Sequence, residues 1–250
     1  MYVDDILFGS YSLDDAKILA SSVTELLNAG GFPLRKWMGN HSDLISHIPR
    51  EWLSKGEELN QLLSSDHKLL GMNWIPVSDQ LFFSCNYDDN NSAVTKRQIL
   101  SYIAKLYDPL GLVAPIIIRC KIFMQDLWKE KFQWDDRLSN PLLSEWRNIF
   151  NDSLSISEVK VPRWMGYSPK CKVEVHGFSD ASIKAIAAVV YLRVIHSDHC
   201  IMNLLISKTK VAPIKTQTIP RVELCAAVLL SKLVSSLLDS LNLSPYPVHL

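Results

Sequence analysis

Val173-Glu174-Val175-His176-Gly177-Phe178-Ser179-Asp180-Ala181-Ser182 is an apolar strand that ends on an aspartate. It opens a series. Lys172 to Phe178, Ala185 to Val194 and Ile201 to Ile206 read as three successive strands, rich in β-branched residues and bounded by turn residues. A long helix follows from about Pro220 to Leu241, carrying apolar Leu224, Ala227, Val228, Val234, Leu238 and Leu241. Pro247 to Leu250 reads as the start of one more strand. Glu223 lies 43 residues after Asp180, in the first turn of the helix. A strand carboxylate facing a helix carboxylate across a sheet can grip a pair of Mg2+ ions, which position water for in-line attack on a phosphodiester. Each residue taken singly has a plainer reading. Asp180 is also a strand-end turn residue, and Glu223 also complements the helix dipole.

Upstream the texture changes. Ser153 to Pro169 has no clear period and holds Pro162 and Pro169, which sets a boundary there. Before it come helices. Thr95 caps one that carries Ile99, Ile103 and Leu106 on one side, and Asp108-Pro109 and Gly111 break it. Pro115 suits the first turn of a helix running to about Trp128, and Asn140-Pro141 repeats the device before Leu142 to Phe150. From Thr95 to Lys131, seven basic residues (Lys96, Arg97, Lys105, Arg119, Lys121, Lys129, Lys131) stand against three acidic ones (Asp108, Asp126, Glu130). Such an excess holds phosphate backbones, although amphipathic helices carry solvated lysines in any case.

Towards the N-terminus, Met1 to Phe8 reads as two short apolar runs around a tight Asp4-Asp5 turn, the pattern of a hairpin. A hairpin tip presents adjacent carboxylates as hard oxygen ligands for Mg2+, and Asp-Asp also simply makes a good turn. Ser12 and Asp15 form a capping-box pattern ahead of Ala16, Leu19, Ala20, Val23, Leu26 and Leu27, whose spacing predicts one buried helix face ending at Gly30-Gly31. Pro33 to Trp37 reads as a strand, and residues 40–66 as short helix and loop. A second hairpin is predicted from Leu69 to Trp74 and Leu81 to Ser84, turned by Pro76 and Asp79.

With 48% hydrophobic and 21% charged residues, the 250-residue chain has the composition of globular protein and not of disorder. Its 26 basic and 26 acidic residues cancel, so any nucleic-acid surface must come from local clustering. No stretch reads as long and apolar enough to span a bilayer, and the N-terminus lacks a signal-peptide pattern. The five cysteines form no C-x-x-C pair, which argues against a disulfide framework and a cysteine zinc site. There is no Asp-[Ser/Thr]-Gly triplet, Gly-Lys-[Ser/Thr] loop or G-x-S-x-G elbow, so protease activity is not expected. His199-Cys200 is a lone dipeptide on a strand turn, read as structural or surface.

Tyr2-Val3-Asp4-Asp5 resembles the signature of retroviral-type reverse transcriptases. Gly31-Phe32-Pro33-Leu34-Arg35-Lys36-Trp37, and a Leu70-Gly71 hairpin at the family's primer grip, follow in the same order. Thr95-Lys96-Arg97-Gln98-Ile99-Leu100-Ser101-Tyr102-Ile103-Ala104-Lys105-Leu106-Tyr107-Asp108-Pro109-Leu110-Gly111-Leu112 is similar to the segment after the palm in BEL/Pao-class long-terminal-repeat retrotransposons. Phe178-Ser179-Asp180-Ala181-Ser182, with Ile219-Pro220-Arg221-Val222-Glu223-Leu224, is similar to their ribonuclease H domain.

The resemblance implies a mixed α+β chain. Residues 1–94 would be the C-terminal part of a reverse-transcriptase palm, 95–155 a helical thumb or connection, 156–171 a linker, and 172–250 the N-terminal part of a ribonuclease H-like α/β sheet. It implies Mg2+ (or Mn2+) on Asp4, Asp5, Asp180 and Glu223, and a proton from Lys36 to the leaving pyrophosphate. Lys96, Arg97, Lys105, Arg119 and Lys121 would lie on the nucleic-acid backbone. The family carries further carboxylates outside this stretch, so an RNA-directed DNA polymerase and ribonuclease H fragment that is inactive by itself is the expectation. Its partners would be an RNA template, an RNA–DNA hybrid or DNA duplex, and the rest of a Pol polyprotein, without a membrane. Its place would be intracellular, in a cytoplasmic virus-like particle or the nucleus. Two other readings stand beside this one: a non-catalytic nucleic-acid-binding remnant, and an unrelated α/β interaction protein.

Overall fold

The computed structural model describes residues 5–53, 67–69, 72–84, 94–241 and 246–250. The chain divides into two units, Met1–His67 with Trp74–Leu81, and Lys68–Asn73 with Phe82–Leu250.

In the first unit, helix α1 (Leu13–Ala29) starts where the capping signal predicts, with the Ser12 side chain accepting the Asp15 N–H at 3.1 Å. Its buried residues are Ala16 and Ala20, whereas Leu26 is 73% exposed, so the buried stripe is narrower than the apolar spacing predicts. A short helix α2 (Ser42–Ile45) and a 3-10 turn (Arg50–Trp52) follow. The predicted strand from Pro33 to Trp37 is not formed. Trp37 makes a single parallel bridge to Leu53, and Lys36 adopts φ 58°, a left-handed conformation that breaks an extended run. Proline at 33 contributes no N–H to a ladder, and a strand needs a partner along its length.

Short strands β1 (His67–Leu69), β2 (Met72–Ile75), β3 (Gln80–Phe82) and β4 (Lys160–Pro162) follow in chain order. The predicted turn joins β2 to β3. Asp79 sits at φ 50°, its N–H donates to the Pro76 carbonyl at 3.2 Å, and its carboxylate accepts the Trp74 indole N–H at 3.0 Å.

In the second unit, α3 (Lys96–Lys105), α4 (Ala114–Lys129) and α5 (Asn140–Leu154) form a helical module. Thr95 and Gln98 make a reciprocal capping box at α3. The half-buried Asp108 carboxylate accepts the Leu112 and Val113 N–H groups at 2.9 and 2.8 Å ahead of α4, and Pro115 occupies its first turn. Ser139 rather than Asn140 is the cap residue of α5. Ile99, Cys120 and Leu127 are fully buried, and Tyr102 packs edge-on against Trp146 and Phe150 with ring centroids 5.6 and 5.3 Å apart.

The main sheet contains β5 (Lys172–Ala181), β6 (Ala185–Ile195), β7 (Cys200–Val211) and β8 (Val248–His249), ordered β7-β6-β5-β8. β5 pairs antiparallel with β6 from Lys172↔Ile195 to Ala181↔Ile186, and β6 antiparallel with β7, with a bulge at Val190/Tyr191. β8 joins β5 in parallel through Val175↔Val248 and His176↔His249. β7 and β8 therefore run the same way, and α6 (Ile219–Leu241) is the crossover that a parallel return needs. The α6-facing side of the sheet carries Val173, Val175, Ala188, Val190, Leu192 and Val194, closed over by Leu229, Leu230 and Val234 of α6. Each valine or leucine among them contributes roughly 1.5–3 kcal/mol on burial. Gly177 belongs to this side: a Cβ there would meet Leu250 Cδ2 at 2.7 Å and Leu230 Cδ1 at 3.0 Å, so its bare backbone lets the helix approach.

The reading that no segment suits a bilayer needs correction, because α6, with 23 residues, is long and apolar enough by length and composition to cross one. In this fold one face of it packs on β5 and β6, while Leu224 is 64% exposed. The module and the sheet meet at β7: the Ser207 N–H donates to the Leu110 carbonyl at 2.8 Å, and Gln125 donates to the Ala212 carbonyl at 2.7 Å.

Candidate metal and nucleic-acid sites

Asp180 stands near the end of β5, exposed, with its Oδ1 accepting the Ala181 N–H at 2.7 Å. Strand alternation puts it on the side of the sheet opposite α6, in line with Glu174, His176 and Phe178. Glu223 is exposed in the first turn of α6, next to Val222, which is 2% exposed. Val222 lines a cavity with Ile183, Ala212 and Ile214, and Ile183 belongs to the turn that follows Asp180. The start of α6 and the end of β5 thus lie at the same end of the layer. Both carboxylates are open to water and offer hard oxygen ligands, which suits Mg2+, an ion that keeps several waters of its own.

Asp4 lies outside the described residues, as does half of the predicted hairpin, while Asp5 is exposed. Lys36 is exposed on a bend, not on the strand expected to hold it.

The basic cluster is altered most by the fold. Lys96 is 1% exposed and cannot reach a phosphate. Its ammonium donates to the Phe132 carbonyl at 2.9 Å and lies over the Trp128 ring, 3.2 Å from the centroid, with Trp134 at 5.1 Å. Burial pushes its pKa down, opposed by the charge of Asp136. Sequence could not reveal this, since all the groups that hold Lys96 lie more than 30 residues away. Arg97 makes a two-pronged pair with Asp135 at 2.8 and 3.0 Å, which pushes its pKa up and that of Asp135 down. Arg119 pairs with Asp152 at 2.7 Å. These exposed pairs can exchange for phosphate, because an exposed ion pair stabilises by only about 0–1 kcal/mol. Lys105 and Lys121 are exposed.

A second constellation was not foreseen. On the Asp180 side of the sheet, Glu174 Oε2 accepts from His176 Nε2 and from Arg193 Nη1, both at 2.9 Å. The His176 bond first, then Arg193, holds the Glu174 carboxyl below the usual range. His249 stacks on His176 with centroids 4.7 Å apart. The Glu174/His176 spacing of two was a visible signal for a shared face, whereas the contribution of His249 depends on the β5–β8 pairing.

Residues 95–250 match the family model described as the Pao retrotransposon-like RNaseH-like domain, a span that begins at the capping Thr95 and runs through module and sheet. Comparison with curated proteins gives no match.

Proposed function

This chain belongs to the Pao retrotransposon-like RNaseH-like domain family, and from that premise we propose that it serves phosphodiester hydrolysis in RNA–DNA hybrids within a retrotransposon Pol protein. The observation that carries the reading is the family match over residues 95–250, and it is supported by Asp180 near the end of β5 and Glu223 in the first turn of α6 lying at the same end of the β7-β6-β5-β8 sheet, although Asp180 is on the side away from α6. Asp180 and Glu223 would hold the Mg2+ (or Mn2+). A divalent ion there supplies charge neutralisation at the scissile phosphate and a more acidic water. The Ala181 N–H fixes one oxygen of Asp180 and leaves the other for the ion, and the exposed position of Glu223 lets it turn towards the same substrate. Lys105 and Lys121, with Arg97 and Arg119 exchanging their carboxylate partners, would track the duplex backbone by charge and not by base sequence. On this reading Tyr2-Val3-Asp4-Asp5 and the segments after it descend from a reverse-transcriptase palm, which is supported by their resemblance and order.

The test is hybrid cleavage by the Pol protein that carries this segment. Asp180→Asn and Glu223→Gln should each lower the rate by roughly 100-fold or more, the loss expected when several kcal/mol of transition-state stabilisation are removed. Hybrid binding should change little. Cleavage at the wild-type rate in both variants would overturn the assignment, and unchanged binding with no cleavage in any form would favour a non-catalytic binding module.

A further inference from the structure

We propose that Glu174, His176 and His249 form a binding site for a divalent transition metal of the zinc class, separate from the Mg2+ carboxylates. The three side chains converge: one ligand atom from each lies within 4.8 Å of the other two. The backbone builds this arrangement. The parallel register sets His176 directly beside His249, and strand alternation puts Glu174 on the same side two residues earlier. The imidazoles stack at 4.7 Å with their planes 20° apart, which keeps the two rings side by side with a nitrogen of each within 4.8 Å of the other.

Two imidazoles and one carboxylate are a zinc-type ligand set, with a fourth position left for water. Imidazole favours zinc, nickel, copper or cobalt, whereas Mg2+ favours all-oxygen shells. Ligands about 2.0–2.1 Å from a tetrahedral ion sit roughly 3.4 Å from one another, so small side-chain rotations close the present spacing. Arg193 does not block the site. It holds Oε2 of Glu174 at 2.9 Å, which leaves Oε1, and a partner of this kind orients a ligating carboxylate. Its charge lowers affinity without removing a ligand. Asp180 lies four residues further along β5, roughly 13 Å away. An ion at Glu174/His176/His249 would clamp the two-residue edge strand β8 onto β5.

The test uses the full 250-residue chain, stripped of metal by a chelator, with Cys200→Ser and Cys225→Ser in the background because both thiols are exposed. Zinc is titrated by calorimetry, and cobalt by its visible absorption. One ion should bind, with the intense cobalt spectrum of a four-coordinate site, and Mg2+ should not compete. At about 100-fold excess over Kd, zinc should raise Tm by roughly 5–10 °C. His249→Ala, and His249→Gln as the milder replacement at this exposed position, should weaken zinc binding by roughly 100-fold. Asp180→Asn should leave it unchanged, which separates failure here from failure of the hydrolytic reading. Zinc affinity equal in the parent and both His249 variants, equal competition by Mg2+, or no zinc binding up to about 1 mM would each overturn the proposal.

Discussion

Replacing Lys96 by methionine asks what a buried ammonium contributes to the helical module. The side chain is 1% exposed, donates to the Phe132 carbonyl at 2.9 Å and lies over Trp128. Lys96→Met keeps an unbranched stem of similar length and removes the charge. It leaves the Phe132 carbonyl without its donor, a cost of about 1–3 kcal/mol, and forfeits a cation–π contact of about 2 kcal/mol in a desolvated setting. Against this, the ammonium no longer has to be stripped of water, which returns several kcal/mol. The carbonyl and ring left behind are neutral and Asp136, the nearby charge, is exposed, so the heavy penalty of an orphaned buried charge does not arise, and the net loss should be about 1–3 kcal/mol. Lys96→Ala also removes about three methylenes of packing, at roughly 0.8 kcal/mol each, and should cost about 3–5 kcal/mol in all. Urea denaturation followed by circular dichroism measures both. A Lys96→Met variant as stable as the parent, or more so, would refute the argument that the carbonyl and the indole faces hold the ammonium in place.

Asp108→Ala removes the acceptor for two N–H groups ahead of α4 and should cost about 1–2 kcal/mol by denaturant titration, with Asp108→Asn recovering part of it. Gly111→Ala should be more damaging, at least about 3 kcal/mol by the same assay. At φ 73° a side chain is strained, and its Cβ would clash with the Ser207 carbonyl oxygen where module meets sheet. In chelator, Glu174 contributes stability that is fully present above its ordinary value of 4.5 and lost as pH falls through its depressed folded-state value. Glu174→Gln should therefore flatten that part of the acid limb in a series of melts below pH 4.5, and an unchanged limb would count against the His176 and Arg193 bonds as the cause.

Elements whose signal is local were readable in the sequence. Ser12 and Thr95 mark helix starts because a capping side chain and the N–H it accepts lie three residues apart. The strands around Val173–Ser182 show because period-2 alternation reflects a sheet with one buried side. Readings that depended on an unseen partner fared worse. Leu34 and Trp37 look like strand residues, yet a strand exists only where another backbone runs alongside it. In α6 apolar residues occur all round, so periodicity could not choose the Val222, Ala226, Leu230 and Val234 face over Leu224 and Val228.

By itself the sequence determined the order of strands and helices from Thr95 onward, the two carboxylates 43 residues apart, and a resemblance specific enough to name a lineage. Those follow from local chemistry and from motif spacing along one chain. Tertiary structure alone decided that Lys96 is buried under Trp128, that Arg97 and Arg119 already hold carboxylates, and that His249 lies on His176. A side chain's charge is written in its residue type. Whether that charge meets water, a ring face or an opposite charge depends on segments tens of residues away that only folding brings to it.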